Sequence, residues 1–156
     1  MWQFLGDIDL VKTIGFRGWQ PGSPLRHALV NPRVVKVVGD SDVIWLRILD
    51  PEAALALRGY DADGSLRLGV TDPMGYAAGT YAITVRDGVV TVERVADDAD
   101  NADVTIDVEA LGSCYFGLVS PMSLLAAGRV AGPEDAVRAF TRLFATDRAA
   151  HNVTHF

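Results

Sequence analysis

The chain has 156 residues, 49% of them hydrophobic, with one cysteine and a formal net charge of −6. That length suits a core built without disulfides or a structural metal, and a single Cys114 excludes an internal disulfide. The acidity excludes the basic footprint of a nucleic-acid binder and suits either cationic partners such as amines or solubility alone.

Met1-Trp2-Gln3-Phe4-Leu5-Gly6-Asp7 has no basic n-region, so no signal peptide is expected. No run approaches 18 apolar residues, so no membrane span is expected, and the default compartment is the cytoplasm. Apolar positions 2, 4, 5 and 8 fall near helical spacing. Residues 10–19 read as a strand, followed by a turn cluster at Trp19-Gln20-Pro21-Gly22-Ser23. A helix and strand with no local partner look like pieces of a preceding domain.

Residues 24–30 predict one or two helical turns, ended by Asn31-Pro32. Residues 33–39 and 43–49 read as a hairpin across Asp40-Ser41-Asp42. Asp50-Pro51-Glu52 is a helix start, with Asp as cap and Pro at the first position. That helix is expected to reach Gly59.

Three strands follow, at residues 65–71, 80–86 and 89–95. Asp87-Gly88 joins the last two as a two-residue hairpin turn. Asp97-Asp98-Ala99-Asp100-Asn101 lacks the spacing, the glycine and the closing Glu of a calcium loop, so no metal site is expected. Residues 102–108 read as a last strand. Helices are expected at 109–118, at 122–127 after Ser120-Pro121, and from Pro133-Glu134-Asp135 onward. The last carries Val137, Phe140, Leu143 and Phe144 on one face. Strands first and helices after give an α+β class with a mainly antiparallel sheet of about five strands covered by helices.

Few residues advertise chemistry. Cys114 sits in an apolar run and reads as a small buried hydrophobe. Tyr60, Tyr76, Tyr81 and Tyr115 offer hydroxyls, and Tyr81 alternates with apolar neighbours as a structural residue would. His27 reads as a surface residue. Trp45, Leu68, Ile83, Tyr115, Phe116, Leu124, Leu125, Phe140 and Phe144 either line an apolar groove or make ordinary core. The sequence ends His151-Asn152-Val153-Thr154-His155-Phe156. If Phe156 docks in a pocket, it brings the α-carboxylate with it, next to His155, as a group that can position an amine or move a proton. The plainer alternative is an aromatic plug.

The block Ala102-Asp103-Val104-Thr105-Ile106-Asp107-Val108-Glu109-Ala110-Leu111, leading to Pro121-Met122-Ser123-Leu124-Leu125-Ala126-Ala127-Gly128-Arg129-Val130, resembles the sterol-carrier-protein-2-like fold. A more specific set resembles the C-terminal half of the enhanced-intracellular-survival (Eis) group of GNAT N-acetyltransferases. It comprises Trp2-Gln3-Phe4-Leu5, Ile8-Asp9, Asn31-Pro32-Arg33, Val70-Thr71-Asp72-Pro73, Ala110-Leu111-Gly112 and Thr154-His155-Phe156. Ile44-Trp45-Leu46-Arg47-Ile48-Leu49-Asp50-Pro51-Glu52-Ala53-Ala54-Leu55 is its most distinctive stretch.

The resemblance implies that residues 1–23 are the remnant of a GNAT-like domain, a helix–strand stub, and that residues 24–156 are a sterol-carrier-like domain. It further implies acetyl-CoA as the cofactor of the full-length family, an amine substrate and upstream GNAT domains; edge strands and the exposed stub at residues 1–23 favour a homo-oligomer. It gives the Phe156 carboxylate, with His155 beside it, a place at the acyl-transfer site. GNAT enzymes hold the acetyl-CoA pyrophosphate on an Arg/Gln-x-x-Gly-x-Gly/Ala turn at a helix N-terminus. Arg129-Val130-Ala131-Gly132-Pro133-Glu134 departs from that pattern, because proline removes an N–H and glutamate repels phosphate. No cofactor is therefore expected on this chain alone. Two other readings stand beside this one, a free-standing lipid or acyl carrier and a structural or oligomerisation module.

Overall fold

In a computed structural model of the chain, residues 1–20, 22–39, 42, 44–148 and 150–152 are described. The chain groups into two units, residues 1–40 with 151–156 and residues 41–150.

In the first unit, α1 spans Trp2–Gly6 with no side-chain cap, and Leu10 follows in the left-handed region at φ 68°. Helix α2 spans Leu25–Ala28. A single 3-10 turn covers Pro32–Val34, with the Asn31 side chain accepting the Arg33 N–H at 3.0 Å. Trp2 and Phe16 meet edge to face at 5.5 Å. The expected strand at 10–19 is absent, residues 35–39 carry no strand, and neither do residues 44–49 of the second unit. The proposed hairpin turn lies outside the described residues except for Asp42. A strand must satisfy its N–H and C=O groups on a neighbour, and these segments find no ladder among the described residues. None of the described residues before Asp40 is buried.

The second unit carries the core. Helix α3 spans Pro51–Leu57, and the Asp50 carboxylate accepts the Ala53 N–H at 3.0 Å. Strands β1 (Gly64–Thr71), β2 (Gly79–Arg86) and β3 (Val89–Ala96) form an antiparallel meander. Asp87 and Gly88 both take positive φ, 51° and 76°, as a type I′ turn requires. Strand β4 (Val104–Asp107) pairs with β1 in parallel, and β5 (Val130–Ala131) closes the edge antiparallel to β4. The order is β3-β2-β1-β4-β5, a mixed, mainly antiparallel sheet.

Helix α4 spans Val108–Tyr115, α5 spans Pro121–Ala126 and α6 spans Glu134–Phe144. The alternation on β1 and β2 sends Leu66, Leu68, Val70, Tyr81, Ile83 and Val85 into the core. There they join Leu55, Leu111, Val137, Phe140 and Phe144 from the helices. Gly112 of α4 sits where a Cβ would lie 2.7 Å from the Leu46 carbonyl oxygen. Only glycine admits that approach, which brings the 44–49 segment onto the helix.

Candidate functional site

The most constrained polar group of the second unit is Arg58, 7% exposed. It is the C-cap of α3. Its guanidinium donates to the carbonyls of Tyr115 (2.8 Å), Gly59 (2.9 Å) and Phe144 (2.7 Å). Tyr115 and Phe144 are the last residues of α4 and α6. Three helix C-termini therefore converge on one cation. Each presents unpaired carbonyls and the negative end of its dipole. The rings of Tyr60 and Phe144 lie 4.8 and 4.3 Å from the guanidinium carbon, a cation–π geometry. Burial draws the Arg58 pKa down, and nearby Tyr60 and Cys114 pull it back. Among the described residues it makes no ion pair; carbonyl dipoles offset the cost of desolvation instead.

Asp72 forms a second centre. Its side chain is fully buried and accepts Arg47 Nη2 at 2.5 Å and the N–H groups of Met74 and Ala77, each at 2.9 Å. The Ala77 N–H is the largest cause that holds its carboxyl below the ordinary range, with Met74 and Arg47 adding to it against burial. Asp72 thus closes the loop after β1 and ties the 44–49 segment to the sheet. A third centre joins Asp107, the N-cap of α4, to Arg129. The guanidinium reaches both carboxylate oxygens at 2.8 Å, and Glu109 stands 3.3 Å away. The Arg129 hydrogen bond is the main cause that lowers the Asp107 pKa.

Of the residues singled out for chemistry, His155 and Phe156 lie outside the described residues. The nine apolar residues do not share one surface. Leu68, Ile83, Phe140 and Phe144 are buried in the core, Tyr115, Leu124 and Leu125 are half-buried, and Trp45 and Phe116 are exposed. Two depressions of about 410 and 100 Å³ flank Asp63, Gly64 and Ser65, and none of the nine lines either.

The hydroxyls of Tyr60, Tyr81 and Tyr115 donate to the carbonyls of Leu55, Ala77 and Ala54, so they serve the fold. Cys114 is buried, and desolvation pushes its thiol up to about 12, far from a reactive thiolate. His27 is exposed. In the acidic loop, the carbonyls of Asp98 and Asp100 turn inward onto the Thr80 hydroxyl at 2.6 and 3.2 Å. No group of metal-binding side chains forms among the described residues.

Sequence reasoning missed Arg58. Its only signal is a cation placed just before glycine at a helix end, and nothing in the pattern announces its burial.

A pyrophosphate has no cradle at α6. Arg129 is committed to Asp107 and Glu109. Pro133 is the N-cap, with Glu134 and Asp135 in the first turn. The residues present do not fit acetyl-CoA in the helix-end manner. No described helix is long and apolar enough to cross a membrane.

Comparisons with known proteins place this architecture. Residues 51–152 match the sterol carrier protein domain family. An N-acetyltransferase of Streptomyces avermitilis is 39% identical over 132 residues, 83% of this chain and 30% of that protein. The crystal structure of Eis1 from Mycobacterium abscessus superposes with a TM-score of 0.84 at 34% identity, over 99% of this chain and 39% of that one. A GCN5-related N-acetyltransferase from Anabaena variabilis matches with a TM-score of 0.58 at 27% identity, over 65% of this chain and 26% of that one. The chain spans about a third of the length of these relatives. It belongs to the sterol carrier protein domain family, in the form it shares with a segment of Eis-like N-acetyltransferases.

Proposed function

We propose that this chain is the sterol-carrier-like domain, residues 24–156, of an Eis-like N-acetyltransferase, preceded by the end of a GNAT-like domain at residues 1–23. In this reading it works in the cytoplasm as a homo-oligomer and shapes the amine pocket without binding acetyl-CoA itself. The upstream GNAT domains hold the cofactor. Acetyl-CoA would supply the acetyl group there, and the amine nitrogen that takes it would give up one proton to the released thiol group of coenzyme A. The Phe156 carboxylate, with His155 beside it, orients the amine and stands near that proton.

The observation that carries the reading is the first unit. Phe4, Leu10, Phe16, Val30, Val34, Val37 and Val38 are each more than half exposed, and apolar exposure of this extent fits a missing neighbour. The likeness to Eis1, over 99% of this chain but only 39% of that one, supplies the kind of neighbour. His151 supports the direction of the tail, because its Nε2 lies 3.1 Å from the Gly18 carbonyl oxygen within that same unit.

The test is acetyl transfer from acetyl-CoA to a polyamine or aminoglycoside by the longer protein, with and without Phe156. Deleting Phe156 is expected to lower kcat by about 100-fold, the scale of a misplaced reacting group. An undiminished rate removes the carboxylate from the site. A chain that acetylates amines by itself contradicts the division of labour.

A further inference from the structure

We propose that β3 pairs with β3 of a second copy of this chain, antiparallel about Thr91, so that two five-stranded sheets join into one. This rests on the homo-oligomer in the function proposed above and names the surface that makes it. Strand β3 is an outer strand of the sheet and runs for eight residues, Val89–Ala96. The two-residue turn makes Arg86 and Val89 a hydrogen-bonded pair, and the bonding then alternates along the hairpin. Thr91 opposite Thr84 and Glu93 opposite Ala82 fall in the same bonded phase. The N–H and C=O groups of Val90 and Val92 therefore point away from β2, and no described backbone group bonds them.

Natural sheet edges are blunted by proline, lysine or a bulge. Residues 89–93 carry none of these. The bulge comes later, where Tyr81 pairs with Arg94 and Thr80 with Ala96, leaving Val95 as the extra residue. The side chains of this stretch select one register. Centring on Glu93 sets two carboxylates opposite each other, which is repulsive. Centring on Val92 sets Val90 against Arg94 and runs into the bulge at Val95; centring on Val90 runs into the turn at Gly88. Centring on Thr91 joins Val90, half-buried at the margin of the core, to the second copy's Val92. The core then continues across the junction. On the other face this register sets Glu93 opposite the second copy's Val89, whose neighbour on β2 is Arg86. Arg86 and Glu93 are exposed and make no ion pair among the described residues. The two-fold places each Glu93 in one row with the other copy's Arg86, so the charges complement each other twice.

The experiment uses the full chain with Phe4→Ser and Val38→Ser in every arm, which suppresses association through the exposed apolar residues of the first unit. Sedimentation velocity should show a dimer across the micromolar range. Opposed Thr91 residues make a non-hydrogen-bonded pair about 4.5 Å apart at Cα, within the roughly 4.4–6.8 Å that a disulfide spans. Thr91→Cys should therefore oxidise to a covalent dimer at least about 10-fold faster than Ser113→Cys, because pairing raises the effective thiol concentration. Ser113 is exposed on α4, and the native Cys114 is buried. Arg86→Glu should weaken the dimer by about 10-fold, since like charges then meet twice. Arg86→Glu combined with Glu93→Arg should restore it. A dimer that Thr91→Cys captures no faster than Ser113→Cys, or that the charge swap does not restore, overturns the β3 junction and leaves the homo-oligomer standing. A monomer in every arm overturns both. Neither result touches acetyl transfer, which deletion of Phe156 in the longer protein decides separately.

Discussion

Val34, Val37 and Val38 in the first unit are 63%, 63% and 96% exposed, whereas Val104, Ile106 and Val108 in the second are each 1% exposed. Both runs are β-branched, and both read as strands from sequence. The difference is the availability of a partner. Val104 and Ile106 sit on β4 between β1 and β5, with helices over one face. The 33–39 run meets no ladder among the described residues, so its propensity is not converted into a strand. Strand preference is a preference for a pleated, half-buried surface, and it is silent where that surface is not supplied. In this account the surface missing from the first unit belongs to the acetyltransferase domains.

That contrast can be broken or sharpened by mutation. The largest effect is expected in the core of the second unit. Phe140→Ala should destabilise the chain by about 3–5 kcal/mol in denaturant unfolding, because Phe140 is fully buried and stacks edge to face on Phe144 at 4.5 Å. Next comes Arg58→Met, which leaves the carbonyls of Tyr115 and Phe144 without their donor. A loss of about 2–3 kcal/mol is expected, the cost of buried polar groups left unpaired.

Asp72→Asn tests the loop hub through pH. The folded-state pKa of Asp72 is lowered, chiefly by the Ala77 N–H. Its contribution is therefore complete above the unfolded value of about 3.9 and fades as pH falls through the folded value. The Tm gap between wild type and Asp72→Asn should be widest near neutrality and should close below about pH 4; a gap constant with pH would contradict the assignment. The smallest effect is expected in the first unit. Phe4→Ser with Val38→Ser should change stability by no more than about 0.5 kcal/mol, because neither side chain is buried. The same pair should reduce self-association of the chain in light scattering.

Much of the second unit was legible in the sequence, for local reasons. Asp50-Pro51 capped a helix because a short carboxylate before proline satisfies an end N–H that no carbonyl can reach. Asp87-Gly88 made the turn its φ values require, and the three-four spacing of Val137, Phe140 and Phe144 marked the face that packs. The rest depended on distant partners. Strand β5 is two residues long and exists only through β4. Arg58 looks like any cation at a helix end until α4 and α6 bring their carbonyls to it. Of the candidate site, His155 and Phe156 lie outside the described residues, and the apolar nine divided between core and surface because periodicity marks what is apolar, not what encloses a cavity.

The central claim is that residues 1–39 belong against an upstream acetyltransferase domain. Amide hydrogen exchange tests it most directly, comparing this chain alone with the same residues inside the longer protein. Strong new protection confined to residues 1–39, with the strands of residues 64–107 unchanged, is the expected result. Exchange at 1–39 that stays as fast as in the chain alone would contradict it.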